Sequence, residues 1–245
     1  MALNELVPEP ARPISATITE VHTGPATDPL AWLATTPHTD ERWYWEVPED
    51  DTAWVGMGSA ATVSTSGPGR FDEAAREADQ LLSGLRVTGP PDAPLPRLAA
   101  GFAFDDTAQS GPWEPFGDGR LVLPAVQVLR RGGRTWVIRI DGHDRPTPVM
   151  VAPDPAGPIE VDAADWADEA SRAHYRHLVE LALEAIERGE LVKAVPCRSL
   201  RLERRPDVAR LLATLRSTYP ACATVGVSIG TTSFVAATPE RLVAV

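Results

Sequence analysis

Two ionisable residues near the end of the chain stand in apolar surroundings: Lys193 in LVKAVPC and Glu240 in AATPERL. Lysine and glutamate are seldom fully buried without partners. A lysine on a covered strand face loses the hydration of its ammonium, which lowers its pKa and makes it a usable base. A carboxyl aimed across the sheet at it could serve as the acid. Such a pair in one compact unit suggests acid–base chemistry in a cleft. Two plainer readings stand beside this one. Lys193 could be a solvated charge on an edge strand, and Glu240 a surface residue at the corner that follows Pro239.

The elements that must position this pair occupy Ser171 to Val245. Ser171 to Arg188 carries apolar residues at Tyr175, Leu178, Val179, Ala182 and Ile186, the spacing of a helical stripe, with Gly189 as its C-terminal cap. A strand is expected from Leu191 to Leu202. Alternation there places Lys193, Val195 and Cys197 on one face, and Val192, Ala194 and Pro196 on the other. Pro206 and Asp207 open a second helix, with Val208, Leu211, Leu212, Leu215 and Tyr219 as its stripe and Pro220 as its end. ATVGVSI and SFVAA read as strands joined at Gly230-Thr231-Thr232. The chain then stops inside the apolar run RLVAV, which would leave a bare strand edge. The expectation is a truncated sequence, or partner strands supplied from elsewhere.

The first part reads as β-rich. ISATITEV alternates like a strand. WYWEV and TAWVGMG read as strands around the acidic turn Pro48-Glu49-Asp50-Asp51. Trp32, Trp43, Tyr44, Trp45 and Trp54 are expected as core and cross-strand packing rather than a base-stacking or sugar-binding surface. Residues 64–70 form a loop whose Gly-Pro-Gly lacks the spacing of a phosphate cradle. Phe71 to Leu85 has the stripe of an amphipathic helix, and Asp72 and Glu73 suit its first turn. Val87 to Arg97 is a proline-rich connector, and LAAGFAFD is a short apolar run. Asp106 to Gly119 is a loop carrying Trp113 and Phe116. LVLPAVQVLRRGGRTWVIRI reads as two strands about a turn at Arg131-Gly132-Gly133, with Pro124 confining its strand to an edge or a bulge. Asp144 to Ile159 contains five prolines and is the best candidate linker.

Composition narrows the class. With 245 residues the chain can form one large domain or two small ones, and a sizeable core. A net charge of −11 argues against non-specific nucleic-acid binding. It also means that an anionic ligand must be held by local positive groups. Cys197 and Cys222 are too few for a disulfide framework and have no Cys or His at metal-ligand spacing, so they read as buried free thiols of a reducing compartment. MALNELVPEP does not resemble a signal peptide, and no apolar run reaches transmembrane length. A soluble cytoplasmic protein with no membrane association is expected.

RHLVELALEAIERGELVKAVPCRSL, followed by a helix, YPAC, a hairpin and AATPERL, resembles the chorismate-utilising enzymes. These include isochorismate synthase, salicylate synthase, anthranilate synthase component I and aminodeoxychorismate synthase component I. GFAFD, Trp113, Phe116 and LVLPAVQVLRRGG are similar to the first half of isochorismate synthases in particular. The resemblance implies an α+β fold with antiparallel sheets flanked by helices, incomplete at the C-terminus. Residues 1–160 would be its β-rich N-terminal part and 161–245 the start of its catalytic region.

In this family a lysine at the Lys193 position goes with addition of water at C2 of chorismate, and a glutamine with addition of ammonia. Water needs a base at neutral pH, whereas ammonia already has a free lone pair. By resemblance Lys193 deprotonates the water, Glu240 protonates the departing C4 hydroxyl, and the product is isochorismate. Mg²⁺ is the implied cofactor, with its ligands in a second half that this sequence does not reach. The chain alone should therefore be nearly inactive. The implied partner is the small molecule chorismate, with the chain as a monomer. The pathway could be menaquinone or siderophore biosynthesis. The alternatives are salicylate synthase, which shares the lysine, and a non-catalytic half-fold acting as a binding module.

Overall fold

The computed structural model describes residues 14–22, 24–36, 41–105, 110–141, 168–199 and 206–240. The chain divides into two compact units, Met1–Pro155 with Val208–Val245, and Ala156–Asp207.

The larger unit is built on an eight-stranded sheet. Its strands are β1 (Ser15–Val21), β2 (Arg42–Val47), β3 (Thr52–Met57), β5 (Arg86–Thr88), β8 (Val126–Arg131), β9 (Arg134–Ile140), β10 (Ala223–Ile229) and β11 (Thr232–Thr238). They lie in the order β11-β10-β2-β3-β8-β9-β1-β5, antiparallel except for the β1–β5 pair. A smaller sheet has the order β4-β7-β6, from β4 (Ala61–Thr65), β6 (Ala99–Phe102) and β7 (Gly119–Leu123). Helices α1 (Pro29–Thr35), α2 (Arg70–Ser83) and α4 (Val208–Thr218) complete this unit. The α+β class with helix-flanked sheets is thus observed, in a mixed sheet rather than a purely antiparallel one.

Period-two alternation builds two cores, one on each face of the large sheet. Tyr44, Val55 and Val128 face α1 and α4, where they meet Leu30, Leu33 and Leu212. Their neighbours Trp43, Trp54 and Leu129 face the small sheet and pack with Val122 and Leu123. The aromatic cluster is therefore mostly core; Trp45 is its exposed member. Two glycines permit this close layering. A Cβ on Gly56 would lie 2.5 Å from Pro124 Cγ, and one on Gly226 would lie 2.9 Å from Leu212 Cδ1.

Pro124 does more than the sequence suggests. The stretch read as two strands forms three, because the chain leaves the small sheet at Leu123 and enters the large one at Val126. A residue without an N–H suits that switch. Short β4, β5 and α1 carry too few residues for periodicity to reveal. Asp28 caps α1 by accepting from the Leu30 N–H at 3.0 Å, with Pro29 opening the helix.

In the smaller unit α3 (Glu169–Glu187) forms as its stripe predicts. Asp168 accepts from the Ser171 N–H at 3.1 Å at one end, and Gly189 takes φ 73° after the other. None of its residues is buried. The strand expected from Leu191 to Leu202 does not form over 191–199, which carries no strand pairing. A strand is stable only beside another, and among the described residues none pairs with this segment. The alternation therefore buries nothing: Val192 is 97% exposed and Val195 79%. Residues 200–202 and the linker expected at 144–159 lie outside the described residues.

Candidate functional site

Lys193 belongs to the smaller unit and is exposed. Its backbone follows the capped end of α3, where Glu190 and Leu191 donate their N–H groups to the Ala185 carbonyl at 2.9 and 3.3 Å. Five residues beyond Lys193, Arg198 Nε donates to Ser171 Oγ at 2.8 Å and ties the segment back to the first turn of α3. The covered face on which the base chemistry was argued is thus not supplied by the described residues of this unit. Cys197, expected as a buried thiol, is exposed as well, for the same lack of a neighbouring strand. Cys222 is half-buried and free, and lies just before β10 rather than in it.

Glu240 belongs to the larger unit, two residues beyond β11, and is exposed. Its N–H donates to Thr238 Oγ1 at 3.1 Å, which shapes the Thr-Pro-Glu corner. The hairpin that carries it is firmly seated: β10 pairs with β2 along Thr224 to Ser228, and α4 packs across both hairpin strands.

The larger unit also holds a buried polar network that pattern reasoning missed. Glu46, 1% exposed, accepts from the Tyr44 hydroxyl and from Arg130 Nη2, the latter at 2.7 Å. Arg130 Nε reaches Asp51 Oδ1 at 3.0 Å. Arg216 of α4 donates twice to Asp28, at 3.0 and 2.9 Å, and lies 3.8 Å from Glu46 Oε2. Burial pushes the Tyr44 phenol well above its ordinary value, and the Glu46 charge and hydrogen bond push the same way. Burial pulls the Arg216 guanidinium down, but the Asp28 bonds and the nearby Tyr44 and Glu46 more than offset it. The available signal was Glu46 itself, a charge placed on the same strand face as buried Tyr44.

A cleft of about 320 Å³ opens elsewhere on the larger unit. Trp43, Phe102, Trp113, Phe116, Val227 and Phe234 line it. Arg120 is in its wall, and Glu41 holds that guanidinium through two bonds of 2.8 and 2.7 Å. Its positive charge is already matched, so the described lining residues offer no spare cation for a substrate carboxylate. The cleft runs along the hairpin from Ile229 and Phe234 near its turn to Val225, whose partner on β11 is Ala236. Glu240 lies four residues past Ala236 and is not among the residues that line the cleft.

Among the described residues, no group of three or more His, Cys, Asp or Glu side chains is placed to hold a metal ion. The Mg²⁺ implied by resemblance therefore finds no ligand set in them. No helix among them is long and apolar enough to cross a membrane.

The arrangement so far is a helix-flanked β framework with an exposed lysine on one unit and an exposed glutamate on the other. A family model described as chorismate binding enzyme matches residues 7–145 and 151–245, nearly the whole chain. The chain belongs to the chorismate-binding enzyme family. The salicylate biosynthesis isochorismate synthase of Pseudomonas aeruginosa (strain PAO1) is 34% identical to this family member over 96 residues, 39% of this chain and 19% of that protein. The solved structure of MenF, the menaquinone-specific isochorismate synthase from Escherichia coli, shares its fold with a TM-score of 0.56 at 19% identity. That match covers 94% of this chain and 51% of MenF. The chain thus spans about half the length of the solved chorismate-binding relative and about a fifth of the curated one.

Proposed function

We propose that this chain carries the acid–base pair of an isochorismate synthase, an isomerase that converts chorismate to isochorismate. Family membership over nearly its whole length carries the reading. Lysine rather than glutamine at position 193, within LVKAVPC, selects water as the nucleophile. The neutral Lys193 amine takes a proton from water as its oxygen bonds to C2. Both ring double bonds shift along the ring, the C4–oxygen bond breaks, and the hydroxyl leaves as water with the proton of the Glu240 carboxyl. One water enters and one leaves, so substrate and product are isomers.

The exposure of both residues sets a condition on this chemistry. Covering an ammonium or a carboxylate disfavours its charged form, and so favours the neutral amine and the protonated carboxyl that this reaction needs. In our reading, the site becomes productive when the faces around Lys193 and Glu240 are covered by the part of the family fold that MenF has beyond the length matched here. The magnesium ligands and the contacts to the substrate carboxylates belong to that part in the same reading. The 245-residue chain alone is then nearly inactive.

Assay of chorismate consumption with isochorismate detection tests the proposal. Formation of isochorismate by a longer polypeptide that contains this sequence, lost on Lys193→Ala, supports it. Release of salicylate and pyruvate instead would assign the chain to the salicylate synthases.

A further inference from the structure

No further inference is drawn: the strongest candidate, the aromatic-lined cleft between β6 and the β10–β11 hairpin, is an unpartnered apolar face, and nothing in the structure shows what covers it.

Discussion

Removing Arg216 should destabilise the larger unit far more than removing an exposed arginine. Arg216 joins α4 to the cap of α1 through two charge-assisted bonds to Asp28, and it stands beside fully buried Glu46. In Arg216→Met, Asp28 and Glu46 lose one of the two guanidiniums that face them, and Arg130 remains beside both and Asp51. Breaking a buried pair from one side costs about 3–5 kcal/mol. The side chains of Arg216 and Asp28 retain 24% and 18% exposure, so water can partly refill the gap. An expected loss of ~3 kcal/mol follows, or about 6–12 °C in melting temperature for a chain of this size.

Urea denaturation followed by tryptophan fluorescence reads this unit, since six of the seven tryptophans lie in it. Arg188→Met is the control. Its pair with Glu190 is exposed on both sides, so its loss should stay within about 0.5 kcal/mol. Equal small losses for both variants would refute the view that the network is a structural lock.

Four further outcomes are expected. Gly56→Ala should cost ~1–3 kcal/mol, because its Cβ would enter Pro124 and the Trp54 ring; unchanged urea midpoints would show that the two layers can separate freely. Cys197 should react with a thiol reagent in the native protein faster than the half-buried Cys222, and mass mapping that finds the reverse order would contradict the exposed 191–199 segment. The Tyr44 phenol is raised in the fold, so its contribution to stability is complete below about pH 10 and is lost as pH climbs further. Absorbance titration at 295 nm should then show an unfolding-linked phase that Tyr44→Phe removes, and persistence of that phase in the variant would remove the assignment. Glu20 is held below the usual carboxylate range by its Arg134 hydrogen bonds, so the pair contributes above about pH 4.5 and fades as pH falls. Acid titration of Arg134→Met should lack that component, and coincident curves would contradict it.

Much of the fold was legible because each layer repeats a simple period. WYWEV and TAWVGMG were readable as two strands around an acidic turn, and Gly230 marked the β10–β11 turn. The short elements were not legible. β5 exists through parallel pairing with β1, three residues that carry no pattern of their own. Lys193 exposes the limit of local reasoning. Its alternating neighbours encode a strand, but a strand needs a partner, and the described residues provide none. The charged network escaped for a related reason: Asp28, Glu46, Arg130 and Arg216 lie far apart in sequence and meet only through the fold.

The most direct test of the central claim measures isochorismate production from chorismate and magnesium by the longest reading frame that contains this sequence. It is run beside Lys193→Ala and Glu240→Gln. The expected result is turnover that each substitution lowers by roughly 10²–10⁴, with circular dichroism and urea midpoints preserved. Turnover that survives Lys193→Ala intact would contradict the assignment of Lys193 as the base that activates water.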